Sequence, residues 1–265
     1  MRIDIHTHAF HPKIAHKVLE QLNGHYHISP SGNGYADDLV KRLDQAGLDK
    51  SVVLTAATSP DQVIPANNWS IQLKTQYPRL IPFGTLHPDF DRNEAELDRL
   101  EKHGIKGLKF HPDFQGYRMD DPSFYDLMEM IGDRFICLFH VGDVLPPDKN
   151  PSCPKKMASL RKAFPEPVMI AAHMGGYLHW EYALEHLNNI DVFVDTSSMT
   201  NFVDDTLLKS LFNTFGWDRI LFGSDYPLFD PSNEIRELVK RLKLNDSQLE
   251  RLLTTANNIL ESDSY

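Results

Sequence analysis

Arg134-Phe135-Ile136-Cys137-Leu138-Phe139-His140 is a continuous apolar run that stops on a histidine. Such a run fits a parallel β-strand covered on both faces, which has no solvent side where polar residues would alternate. SVVLTA (Ser51–Ala56), PVMIAA (Pro167–Ala172) and DRILFG (Asp218–Gly223) repeat the pattern. Taken along the chain, the predicted strands are Arg2–Ile5, Ser51–Ala56, Leu80–Thr85, Ile105–Phe110, Phe135–His140, Val168–His173, Asp191–Asp195 and Arg219–Phe222. Helical patterns separate them, over Asp37–Ala46, Ala66–Gln76, Asn93–His103, Ser123–Ile131, Lys155–Ala163, Leu178–Leu187, Asp205–Phe215 and Asn233–Leu242. The third of these, NEAELDRLEKH, ends against Gly104, a C-terminal cap residue. Eight strands alternating with helices predict an α/β fold, a single (β/α)₈ TIM barrel, over an open doubly wound sheet. No Gly-x-Gly-x-x-Gly follows the first strand, so the usual dinucleotide signal is missing.

The 265 residues suit one such barrel, and the reading is a single domain over residues 1–265. Two segments exceed simple connections: a small insertion near 23–35 (NGHYHISPSGNGY) and a proline-rich stretch at 142–154 (GDVLPPDKNPSCP). Both are expected over the C-terminal mouth, where loops shape substrate access. A composition 41% hydrophobic and 24% charged is that of a globular protein. A net charge of −10 argues against nucleic acid as partner, since phosphate backbones need a basic footprint. The chain shows neither an apolar signal region nor a membrane-length apolar stretch. Its two cysteines, Cys137 and Cys153, match no redox or zinc spacing, and Cys137 reads as a buried free thiol. The expectation is a reduced, cytoplasmic protein.

In a barrel of this kind the active site lies at the C-terminal ends of the strands. Those ends carry His6 and His8 (strand 1), Lys109 and His111 (strand 4), His140 (strand 5), His173 (strand 6) and Asp225 just past strand 8. His6 and His8 are two apart, so one strand aims both imidazoles at one point. His6, His8, His140 and Asp225 supply three neutral nitrogens and a carboxylate oxygen. That is a sensible shell for one divalent metal ion, Zn²⁺ first and Mn²⁺ second, with a position left for water. Bound zinc lowers the pKa of its water to about 7. Asp225 is placed to take the proton, and His173 to stabilise an oxyanion or protonate a leaving group. Lys109 is read as pairing with a substrate carboxylate. His111, Phe114, Tyr177 and Tyr226 stand beside the mouth motifs as pocket walls, and His25 and His27 as part of a flap.

These residues resemble the amidohydrolase superfamily, in particular the branch that includes aminocarboxymuconate-semialdehyde decarboxylase and related metal-dependent hydrolases. The motifs are DIHTH (Asp4–His8), FHVG (Phe139–Gly142), AAHMGG (Ala171–Gly176) and FGSDYP (Phe222–Pro227), with GTLHPDF (Gly84–Phe90) and GIKGLKFHP (Gly104–Pro112) also fitting. The resemblance implies His6, His8, His140 and Asp225 as ligands of one metal, and His173 as an acid/base or polarising group. It places Lys109 where other branches carry a carboxylated lysine. The leading expectation is hydrolysis of a small-molecule amide, lactone or ester-like bond. Its rival is non-oxidative decarboxylation of an unsaturated or aromatic carboxylic acid, which wants a cation for the carboxylate, Lys109 or Arg118. A metal-dependent nuclease fits less well, because Lys109 stands where that class carries a bridging glutamate. A non-catalytic barrel leaves the full ligand set unexplained. The partner expected is a small-molecule substrate, with neither nucleic acid nor membrane, and a homodimer as the assembly.

Overall fold

The computed structural model describes residues 1–261, so the last four residues of the expected 1–265 domain lie outside the described residues. All eight expected strands form. β1 (Ile3–Thr7), β2 (Lys50–Val53) and β3 (Leu80–Pro82) pair in that order; β4 (Gly107–Phe110), β5 (Ile136–Phe139), β6 (Met169–Ala171), β7 (Phe193–Asp195) and β8 (Ile220–Leu221) follow in theirs. Every strand pair is parallel. Backbone hydrogen bonds bridge the two seams. Gly84 N donates to Gly107 O and Lys109 N to Gly84 O, both at 2.8 Å. On the other side Ile5 N reaches Phe222 O at 2.8 Å and His8 N reaches Tyr226 O at 2.7 Å. The sheet is thereby a barrel, as the sequence predicts.

Along β5 the residues alternate between two apolar layers. Ile136 and Leu138 join Phe83, Ile170 and Leu221 in one, while Cys137 and Phe139 join Leu108, Phe110 and Met157 in the other. Leu138 is in register with Lys109, which faces the mouth, so its layer fills the barrel beneath the site and the other seals barrel to helices. Fully buried side chains of this size each contribute roughly 1.5–3 kcal/mol. Burial also pushes the Cys137 thiol up, as a free core cysteine requires.

The helices are α1 (Ala15–Tyr26), α2 (Ala36–Ala46), α3 (Val63–Gln76), α4 (Asn93–Lys102), α5 (Pro112–Gln115), α6 (Pro122–Ile131), α7 (Pro154–Ala163), α8 (Trp180–His186), α9 (Asp205–Phe215), α10 (Pro231–Leu242), α11 (Asp246–Thr254) and α12 (Asn257–Leu260). Local chemistry sets several starts. The Asp204 and Asp230 carboxylates accept from the third backbone N–H of α9 and α10, and Asn245 with Gln248 forms a capping box on α11. Within the expected insertion, residues 23–26 form the last turn of α1, and the irregular part begins at His27. α1, which the predicted helices do not include, carries Ala15, Val18, Leu22 and Tyr26 at helical spacing; Ala15 is fully buried, and the other three face the cavity instead of the core. No helix of the described residues is long and apolar enough to cross a membrane.

Candidate metal centre

The C-terminal ends of the strands bring the expected histidines and aspartate to one place. His6 Nε2 and His8 Nε2 lie 3.5 and 3.2 Å from Asp225 Oδ1. His173 Nε2 lies 3.0 Å from His140 Nδ1, and the His173 ring centroid is 4.9 Å from that of His6. The backbone is bent to achieve this. His173, Ser198 and Asp225 all adopt the left-handed region, at φ of 59°, 50° and 64°. That conformation costs roughly 1–2 kcal/mol for a residue with a Cβ. The surrounding fold imposes it where functional sites commonly store strain.

The hydrogen bonds decide which ring nitrogens are free. His8 Nδ1 is 3.0 Å from the Leu54 carbonyl, which can only accept, so the ring donates there and keeps a lone pair on Nε2. His6 Nδ1 meets the Asp195 carboxylate at 2.9 Å, which frees its Nε2 in the same way. Both lone pairs then face Asp225 Oδ1, itself an acceptor. His173 Nδ1 sits 3.3 Å from the Ser197 carbonyl and 2.9 Å from Ser197 Oγ, leaving its Nε2 toward His140. Acceptors converging without a proton between them are what a divalent cation resolves, so the residues fit a metal ion. His6, His8 and Asp225 form one group with ligand-like spacing, and His6, His173 and Asp195 form a second that shares His6. His140 falls in neither; it groups with His111 and Asp113, and reaches the centre beside His173.

Burial disfavours the charged form of three of the site's imidazoles. It lowers His6, and lowers His173 and His111 well below the ordinary range, with His140 adding to the effect on both. Lys109 is 1% exposed and its Nζ has no hydrogen-bond partner among the described residues. Burial lowers its pKa to about 8.

The site opens into a cavity of about 990 Å³. His111 and Phe114 line it, as expected, and their rings stack at 4.1 Å. His25 lines it too, from the end of α1, whereas His27 does not. Tyr226 is not brought to it. The ring is fully buried, and its hydroxyl donates to Asp38 at 2.7 Å and accepts from Gly34 N at 3.2 Å. Arg118 is also absent from the wall and pairs with Asp120 at 3.0 Å.

Two carboxylates escaped the sequence reading. Asp195 ends β7 and accepts from His6 through Oδ2, while Oδ1 accepts from His173 N and Ser197 N. Its signal was present, an acid closing a predicted strand at the barrel's active end. Asp143 lies three residues after His140, with Oδ2 3.6 Å from His140 Nε2 and Oδ1 3.3 Å from His25 Nε2. Nothing local marked Asp143, whose position depends on the turn at Gly142. That turn has φ of +77°, and a Cβ there would sit 2.4 Å from Tyr177 O.

Comparison with known proteins agrees with the fold. The 2,6-dihydroxybenzoate decarboxylase of Rhizobium shares the fold at a TM-score of 0.71 and 16% identity, over 99% of each chain. The 5-carboxyvanillate decarboxylase of Novosphingobium aromaticivorans, a manganese complex, does so at 0.73 and 17%, over 97% of this chain and 95% of that one. An uncharacterised TIM-barrel protein of Bordetella bronchiseptica reaches 0.76 at 16% identity, over 98% of both. No curated protein matches by sequence. The family profile described as Amidohydrolase matches residues 3–256, nearly the whole described barrel, and the chain therefore belongs to the amidohydrolase family.

Proposed function

We propose that the protein is a metal-dependent, non-oxidative decarboxylase of an aromatic or unsaturated carboxylic acid. His6, His8, His140 and Asp225 would hold one divalent ion, manganese or zinc. The observation that carries the reading is Lys109, a buried ammonium with no hydrogen-bond partner among the described residues, at the floor of the cavity. An unpaired buried charge is costly, and a substrate carboxylate supplies the missing counter-ion. The same centre would serve hydrolysis, the first expectation from the sequence, but hydrolysis gives Lys109 no obligatory task. The similarity to two aromatic acid decarboxylases supports the same choice.

A bound divalent ion supplies a Lewis acid that polarises a substrate oxygen. The chain's own groups do the rest. Lys109 orients the acid. Loss of CO₂ leaves the electron pair of the broken C–C bond on carbon, and a proton must arrive there, giving R–H and CO₂ from R–COO⁻ and H⁺. His173, held through Nδ1 by Ser197, and Asp225, whose Oδ2 accepts from Ser198 Oγ, are the groups placed to move that proton. Phe114 and Tyr177 shield the reacting carbon from water.

The test is CO₂ release against acid production by manganese- or zinc-loaded protein on hydroxybenzoates, unsaturated acids and lactones. Lactone opening with no CO₂ from any acid refutes the proposal. His173→Ala is expected to keep its metal and lose roughly 10²–10⁴ in rate. Metal loss in that variant would make His173 a ligand instead.

A further inference from the structure

The cavity is long, and its charge is unlike that of the rest of the protein. Among the described residues that line it, Lys13, Lys17 and Lys109 are positive and Asp225 alone is negative, a balance of +2 on a chain of net charge −10. Lys109 lies at the floor. Lys13 and Lys17 lie at the far end, where α1 begins. Lys17 precedes His25 by eight residues, about 12 Å along a helix rising 1.5 Å per residue. His25 marks the inner end, 3.3 Å from Asp143 and with its ring 5.0 Å from Phe114.

Between the ends the wall is mostly apolar. Tyr26, Phe114 and Tyr177 form a collar, with Tyr26 centred 5.9 and 5.6 Å from the other two rings. Beyond it Val18 and Leu22 of α1 and Pro65 and Ala66 of α3 also line the cavity. A volume of about 990 Å³ lies at the upper end of the roughly 300–1,000 Å³ of ligand pockets, and a single-ring acid leaves most of it empty. A cleft whose lining carries a net positive charge concentrates ligands of opposite charge.

We propose that the cavity is built for an elongated dianion. One acid group sits at Lys109 and the metal centre, an apolar body passes the aromatic collar, and a second anionic group reaches Lys13 and Lys17. Only the inner end rests on the function proposed above. The outer end rests on charge and length.

Calorimetric titration of manganese-loaded and metal-free protein with benzoate, biphenyl-4-carboxylate and biphenyl-4,4′-dicarboxylate tests this. Affinity is expected to rise in that order. The dicarboxylate should bind roughly tenfold tighter than the monocarboxylate at low salt, the scale of two solvent-exposed ion pairs, with the gap closing as salt is added. The gap should also close in the double variant Lys13→Gln, Lys17→Gln. Equal affinity for mono- and dicarboxylate, or an advantage that survives the double substitution, overturns the outer anion site. Biphenyl-4-carboxylate binding no tighter than benzoate overturns the apolar body. A protein that binds no metal yet keeps the lysine-dependent advantage refutes the metal centre and upholds this inference.

Discussion

Replacing Asp195 with asparagine tests how the centre is held together. The residue is fully buried, and its two oxygens do different work. Oδ1 accepts from His173 N at 3.1 Å and Ser197 N at 3.0 Å, and Oδ2 accepts from His6 Nδ1 at 2.9 Å. Asparagine has one acceptor oxygen, and the two backbone N–H groups retain it, because orphaning buried donors costs roughly 1–3 kcal/mol each. The amide NH₂ must then face His6. The ring can meet it only by accepting at Nδ1, which moves the ring proton to Nε2, the atom that points at Asp225. Metal binding has to reverse that tautomer and break the bond that favours it. A hydrogen bond to a charged group contributes roughly 1.5–3 kcal/mol, and partners of metal-bound histidines typically account for about 10–100-fold in affinity. At 1.4 kcal/mol per tenfold these are the same quantity. Asp195→Asn is therefore expected to weaken manganese or zinc binding about 10–100-fold, read by competition with a chromophoric chelator. The melting temperature of the metal-free protein serves as a check on the fold. Affinity within twofold of the parent, in a folded variant, would mean that His6 is not a ligand or that Asp195 does not orient it.

Lys109→Met should stabilise the metal-free protein while abolishing decarboxylation. Burial lowers this lysine from 10.5 to about 8, so its charge costs the native state about 3 kcal/mol below pH 8, and the cost disappears as pH approaches 10.5. Denaturant melts at pH 7 and pH 10.5 check the sign; a variant that is less stable at pH 7 refutes it. Glu234 shows the opposite dependence. Burial raises it from 4.5 to about 7, against the opposing effect of the Thr200 hydroxyl that donates to it at 2.6 Å. Its protonated form favours the native state, so stability is lost as pH rises from 4.5 through 7. Glu234→Gln should match the parent near pH 4.5 and exceed it by about 3 kcal/mol at pH 8; parallel stability curves would refute this. Tyr226→Phe removes the donor to Asp38 and the acceptor for Gly34 N, with an expected loss of about 1.5–3 kcal/mol and faster hydrogen exchange at the Gly34 amide. An unchanged exchange rate there would show that Tyr226 does not pin the 27–35 segment.

The barrel was legible because parallel strands buried on both faces must be apolar throughout, and RFICLF and PVMIAA have no other economical reading. Strand ends were less so. Strand 1 was read as closing at Ile5, but β1 runs to Thr7, because pairing with β2 and with the Phe222–Tyr226 segment extends it beyond its apolar core. His6 thus stands inside the strand, and His140, His173 and Asp225 stand just past theirs. Helix α1 carries Ala15, Val18, Leu22 and Tyr26 at helical spacing, but spacing does not say that this stripe faces a cavity instead of the core.

Sequence alone determined the α/β barrel, the cluster of His6, His8, His140, His173 and Asp225 at its active end, and Lys109 among them. Those features follow from residue type and from the two-residue period of a strand, which are local. Tertiary structure alone decided that Tyr226 is a buried pin, that Asp143 and Asp195 stand behind the histidines, that Lys109 has no hydrogen-bond partner among the described residues, and that α1 makes the cavity long. Each of these depends on which distant backbone lies within about 3 Å of a given atom, and hydrogen-bond partners separated by up to about 190 positions leave no periodic trace along the chain.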